Sequence, residues 1–325
     1  MKISGKGGVL SSRHNRQLFI RRKTDVIMVY AFLLVMVLFA TFASGSFTSV
    51  RNIRNLFTAN IGLLMVTFAQ IFVIGLGGVD LSVGSVISLV NVVLITLMNE
   101  NPATWVLAFA AALAIGAGIG LINGILVVKG NMQPIIATLA TQTIFAGVAL
   151  FVMENPSGTM PSVVSRFIIK GWGYMFPLLY VIVITVVIWI LLNRTRFGRN
   201  LMAVGGNAQS AECSGISVTK TTVGAFVASG LMAAIAAICI TAYTTSGNPL
   251  VGETYTQRSI TVAVVGGALL AGGRLSVVGC LAAVLIIGII NNLLNLLGMN
   301  AYYQYVIQGV ILVAALAISA IRSHK

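Results

Sequence analysis

The chain has 325 residues, a mean hydropathy of +1.00 and 8% charged residues, whereas a soluble domain carries about 25%. This excludes a soluble globular protein and makes lipid the solvent for most of the surface. The net charge of +14 predicts no nucleic-acid partner, because most of the Lys and Arg lie between apolar runs, where they set topology.

Residues 1–25 hold seven Lys and Arg and read as a basic cytoplasmic tail. The run 26–43 is longer than a signal-peptide core and is succeeded by more spans, so it is expected to remain as the first membrane helix. Ala40–Ala43 nevertheless has the composition of a cleavage site. Residues 44–58 read as a short outer loop. Its apolar residues Val50, Ile53, Leu56 and Phe57 have the spacing of an interfacial helix. Further spans are predicted over 59–79, 82–98, 105–128, 134–153 and 174–192. Residues 193–220 form a polar central loop, and four more spans come after it, over 221–243, 259–271, 275–297 and 302–321. Residues 154–173 and 244–257 are predicted to lie outside. The fold class is therefore all-α, polytopic, with about ten spans, residues 26–325 forming one transmembrane domain and both ends in the cytoplasm. With that orientation fifteen Lys and Arg fall inside and five outside, as the positive-inside bias requires.

A catalytic centre is not visible. Cys213, Cys239 and Cys280 lack metal-ligand spacing, and His14 and His324 sit near the two ends. There is no phosphate-binding loop, H-E-x-x-H or G-x-S-x-G. No cofactor or metal is expected, and any ATPase must be a separate chain.

Three features remain as site candidates. The stretch GGVDLSVGS at 77–85 breaks a helix: Gly77 and Gly78 let it unwind, and Asp80 or Ser82 can cap the next helix. Asp80 is either such a cap at the membrane edge or an acid that meets solute. A weak echo, GGRLSVVG at 272–279, is open to two readings, a duplicated half or two glycine-rich turns alike by chance. Second, Asn60, Gln70, Asn91, Asn123, Asn291 and Asn295 place amides inside predicted spans. Amides donate and accept, which suits a polar passage for an uncharged hydroxylated solute, but they also tie helices together. Third, Gly116, Gly120 and Gly124 recur every four residues, a spacing for close helix packing.

Several longer stretches resemble one family. They are GGVDLSVGS, NGILVVKGNMQPIIATLAT at 123–141, TRFGRNLMAVGGNAQSAECSGISV at 195–218, VVGGALLAGGRLSVVG at 264–279, and INNLLNLLG at 290–298 with YYQYVIQGVILVAAL at 302–316. The chain resembles the permease subunits of bacterial ABC importers for simple sugars, of the ribose, xylose and arabinose type. The resemblance implies an inner-membrane channel built from two permease subunits, identical or related. It also implies a cytoplasmic ATPase with two nucleotide-binding domains and a periplasmic sugar-binding protein. The central loop would hold the helix that couples to the ATPase, with Gly205 and Gly206 permitting a turn, Asn207 capping a helix from Ala208, Glu212 on that helix and Gly215 after it. Two departures stand out: Thr256-Gln257-Arg258 where relatives often carry E-x-D, and Leu275 where many have glycine. The competing classes are an ion-coupled secondary carrier, which expects intramembrane ionisable residues beyond Asp80, and a membrane enzyme, which expects an assembled catalytic group.

Overall fold

A computed structural model of the chain describes residues 26–98, 101–300 and, beyond them, 302, 303, 306, 307, 309, 310 and 313. The expected basic tail and most of the expected last span lie outside the described residues. The first helix, α1, is Val26–Ala43. After it come α2 (Val50–Gly75), α3 (Val83–Met98), α4 (Trp105–Lys129) and α5 (Pro134–Val152). Then come a short strand β1 (Ser157–Thr159), α6 (Ser162–Lys170) and α7 (Met175–Arg194). The central loop folds into α8 (Arg196–Gly206) and α9 (Ala208–Cys213), and α10 (Val218–Thr244), β2 (Ser246–Gly247), α11 (Glu253–Val265) and α12 (Val277–Leu296) complete the described chain. Among the described residues, seven helical segments are long and apolar enough to cross a membrane, and α3 and α11 are shorter. The protein is a polytopic all-helical membrane protein.

The core sits on α2 and α10. The apolar window of α2 is 83% buried, that of α12 67% and that of α10 61%, and most of α3 is buried, against 28% for α4 and 22% for α5; α4 and α5 offer a face to lipid, and α2 and α10 pack in protein against each other. They run antiparallel. Gly62 meets Ile240 at one level, and Phe197 meets both Phe72 near the end of α2 and Gly224 near the start of α10. The predicted glycine face packs here: a Cβ on Gly116, Gly120 or Gly124 would strike the α10 backbone at Gly230, Phe226 and Val223. Glycine at those positions lets α4 and α10 approach backbone to backbone.

The chain contains a duplication offset by 168 residues. Asp80 Oδ1 accepts from the Ser82 amide at 2.9 Å, and its counterpart Asn248 Oδ1 accepts from the Leu250 amide at 2.9 Å. Gly84 and Gly252 face each other reciprocally, each Cβ position directed at the other's carbonyl, with Thr256 beside Gly84 and Ser88 beside Gly252. The sequence GLINGIL at 120–126 returns as GIINNLL at 288–294. Helices α2 to α5 thus correspond to α10, α11, α12 and the expected last span. The halves run in opposite directions, an inverted repeat whose pseudo-twofold axis lies in the membrane plane. The echo between 77–84 and 272–279 has a different origin. Gly77 and Gly272 both have positive φ, at 84° and 88°, and their turns touch one another.

Two segments differ from expectation. Residues 253–257, expected outside, are the first turns of α11. The preceding segment descends along α3: Asn91 accepts from the Asn248 amide at 2.7 Å and Ser88 from the Gly252 amide at 3.0 Å. These side chains satisfy backbone that lipid could not. The outer loop 154–173 also carries structure, since β1 pairs with β2 and Ser165 Oγ donates to the Ala242 carbonyl at 2.7 Å, fixing α6 on α10.

Candidate functional site

The helix break after α2 is the most buried polar locus. Asp80 is 1% exposed. Its Oδ1 accepts from the Ser82 amide and, at 2.6 Å, from the Ser82 hydroxyl, and its Oδ2 accepts from Ser229 Oγ of α10 at 2.8 Å. Ser82 Oγ in turn accepts from Asn123 Nδ2 of α4 at 2.8 Å, and Asn123 Oδ1 accepts from Thr141 Oγ1 of α5 at 2.7 Å. One chain of side-chain hydrogen bonds therefore joins α10, the start of α3, α4 and α5. Asp80 closes the break by holding the residue two positions on, and the Ser82 carbonyl accepts the first helical bond of α3 from Val86. Gly78 is required because a Cβ there would press on Pro134 at 2.8 Å.

The amide positions divide. Asn123 and Asn91 are fully buried, and Asn91 is bonded to Thr241 and Asn248 as well as Ser246. Asn60 is half-buried, donates to the Leu56 carbonyl at 2.7 Å and packs on Gly288 of α12. Asn291 is half-buried and Asn295 exposed. Gln70 is fully buried, and neither amide atom has a hydrogen-bond partner among the described residues.

The central loop is three capped helices in succession. Thr195, Asn207 and Ser217 each use a side-chain oxygen to accept a free amide at the start of α8, α9 and α10. Asn207 accepts from Ser210 at 2.8 Å, as its position before Ala208 predicts. The far end of α9 is closed by Gly215, with φ +80°, where the Gly215 amide bonds Glu212 O at 2.9 Å and the Ile216 amide bonds Ala211 O at 3.0 Å. This reciprocal pair satisfies the last carbonyls of the helix. Apart from Ala211, residues 206–215 are exposed, Glu212 among them. Gly205 and Gly206, expected to permit a turn, end α8 instead. Gly205 is there for close approach, since a Cβ would strike the Gly75 carbonyl, while Gly206 faces open space.

At the opposite end of the bundle a cavity of about 1120 Å³ opens between the start of α2, α6 and the end of α10. Its walls carry Arg51, Arg166 and Lys170 with Asn55 and Tyr174 and, among the described residues, no acidic side chain. The Arg54 guanidinium lies over the Tyr174 ring, 4.9 Å from its centre.

A family model described as "Branched-chain amino acid transport system / permease component" matches residues 52–316. The chain belongs to that family. Among its relatives, the ribose import permease protein RbsC of Bacillus subtilis is 38% identical over 90% of this chain and 91% of its own length. The D-allose transport system permease protein AlsC of Escherichia coli is 31% identical over 89% and 90%. The L-arabinose transport system permease protein AraH of the same species is 35% identical over 77% of each chain. No solved structure matches the chain. The protein is a multi-pass permease component rather than an enzyme.

Several residues that organise this permease were not singled out from sequence. Ser229 and Thr141 complete the Asp80 chain. Asn52 exchanges two amide hydrogen bonds, at 2.9 and 2.8 Å, with Asn292, itself one of the amides that the sequence places inside a predicted span, and so ties α2 to α12. Hydroxyls and amides in apolar helices carry no pattern of their own; the 168-residue duplication is the signal that relates Asn123 to Asn291.

Proposed function

We propose that the chain forms one half of the membrane channel of an ATP-driven importer for a neutral monosaccharide in a bacterial inner membrane. A second permease subunit completes the channel, a cytoplasmic ABC ATPase docks on α9, and a periplasmic sugar-binding protein delivers solute to the basic cavity at the other end. The observation that carries this reading is α9: a short helix closed at both ends by Asn207 and Gly215, packed against α8 and α10, yet exposed on nearly every residue. A rigid, exposed loop element on a membrane bundle is suited to binding a partner. The relatives named for ribose, D-allose and L-arabinose all concern uncharged polyhydroxylated solutes, and the amide- and hydroxyl-rich interior matches that chemistry.

The test is to tag the chain, extract it gently from its native membrane and identify the proteins that accompany it. Recovery of a two-domain ATPase is expected, lost when Glu212 and Cys213 on α9 are both replaced by Arg. Recovery of the chain without an ATPase, with uptake that stops when the proton gradient is collapsed, would replace this reading with the ion-coupled carrier.

A further inference from the structure

The start of α11 brings charge to the point where the two repeats meet. Gly84 and Gly252 are repeat equivalents that touch each other reciprocally, so their contact lies on the pseudo-twofold axis. In an inverted repeat that axis runs in the membrane plane, which puts the contact near the bilayer midplane. Gly84 precedes the end of α3 at Met98 by 14 residues, about 21 Å at 1.5 Å per residue, within a hydrocarbon layer of about 30 Å.

Glu253 comes directly after Gly252 and is exposed, and Gln257 one turn later on the same face is exposed too. Among the described residues, Glu253 is the one acidic side chain exposed in a membrane-crossing part of the bundle. Asp80 is buried, and Glu154 and Glu212 lie in the loops. A carboxylate at this depth does not face lipid; it faces protein or a water-filled space. The two halves differ here. The equivalent of Glu253 is Ser85, buried and donating to the Ser82 carbonyl at 2.8 Å. The first half closes this face, and the second opens it and lines it with an acid and an amide.

We propose that Glu253 and Gln257 line the solute passage at mid-membrane, on the face of α11 turned toward the second permease subunit. There the carboxylate, an acceptor with no donor of its own, takes hydrogen bonds from solute hydroxyls, and the Gln257 amide both donates and accepts. The choice of a hydroxylated solute rests on the sugar-importer reading; the aqueous exposure of Glu253 does not.

The experiment uses the full chain in native membranes, with the exposed Cys213 replaced by Ser. Glu253→Cys is compared with Val183→Cys, an exposed apolar position on α7, for reaction with a membrane-impermeant, negatively charged thiol reagent in vesicles of both orientations. Labelling after denaturation normalises for protein level. Modification at least tenfold faster at position 253 is expected, and protection of 253 to the level of 183 overturns the placement. Separately, Glu253→Leu at the parental membrane level is expected to lower uptake at least tenfold, measured with whichever of D-ribose, D-allose or L-arabinose the parent takes up. Uptake within twofold of parent overturns the hydrogen-bonding role. The labelling result is independent of the energy source, so absence of an ATPase partner would leave it standing and would count against the function alone.

Discussion

Replacing Asp80 separates a structural carboxylate from a charge-bearing one. In Asp80→Ala three hydrogen bonds disappear, two from Ser82 and one from Ser229. The Ser229 hydroxyl can turn back to its own helix four residues earlier, but the buried Ser82 amide has no such recourse. A net intramolecular hydrogen bond contributes about 1 kcal/mol, and an orphaned buried donor costs about 1–3 kcal/mol, so two lost bonds and one orphaned amide should total roughly 3–5 kcal/mol. At about 2–4 °C per kcal/mol for a chain of this order, the midpoint of thermal unfolding should fall by roughly 6–20 °C. In Asp80→Asn the remaining carbonyl oxygen still accepts from the Ser82 amide and hydroxyl, and the new amino group donates to Ser229 Oγ. That variant should lie within about 1 kcal/mol of parent and retain most uptake. The protein supplies its own reporter. Cys239 and Cys280 are buried free thiols, so a thiol-reactive fluorogenic dye reports unfolding in detergent, with Cys213 as the exposed baseline. Equal destabilisation by Asn and Ala would refute the reasoning, because it would mean that the negative charge, and not the acceptor geometry, holds the break.

Gly84→Ala places a methyl against the Gly252 carbonyl and Thr256; overpacking of this kind costs about 1–3 kcal/mol, and the same dye assay should show it. Asn52→Ala and Asn292→Ala should each destabilise, and the double variant should lose less than their sum, because the two amides bond each other; strict additivity would count against the pair. Gly206→Trp should leave the unfolding midpoint within a degree or two, since nothing lies within 4 Å of its Cβ position, yet should release the ATPase in pull-down. Gly205→Ala, which strikes the Gly75 carbonyl, should lower the midpoint itself. Retention of the ATPase by Gly206→Trp would argue that α9 is not the docking element.

The helical plan was legible because hydropathy and length decide it. The membrane-length runs, the glycine spacing on α4 and the Asn207 cap are all local signals, and each reappears as structure. What escaped the sequence is non-local. The segment before α11 reads as an outer loop because Asn248 and Pro249 are poor membrane residues, but its backbone is satisfied by Asn91 and Ser88 inside the bundle. Hydropathy scores transfer from water to lipid and is blind to such burial in protein. The duplication is present in GLINGIL and GIINNLL, yet the more conspicuous double-glycine turns suggest a different register. Leu275, where the resemblance leads one to expect glycine, is 3% exposed and packs with Leu201 on Gly75. It therefore fills space at the turn rather than altering a site.

The inverted halves share a backbone and differ in how they are closed. In the first, Asp80, Ser82, Asn123 and Thr141 form a continuous buried chain that fixes α3 against α4 and α5. At the equivalent positions of the second stand Asn248, Leu250, Asn291 and Gly309. Leu250 and Gly309 have no side-chain hydroxyl, so the same chain cannot form; the start of α11 is held instead by Asn91 and Ser88 of the other repeat. On the importer reading, a half tied to its own helices beside a half held through the other repeat is an asymmetry that rocking of one repeat against the other can use. Restoring the chain should therefore be harmful. Leu250→Ser with Gly309→Thr would introduce the missing hydroxyls at the mirrored positions, and this should raise the unfolding midpoint while slowing uptake. A variant with raised stability and undiminished uptake would show that transport has no need of this asymmetry.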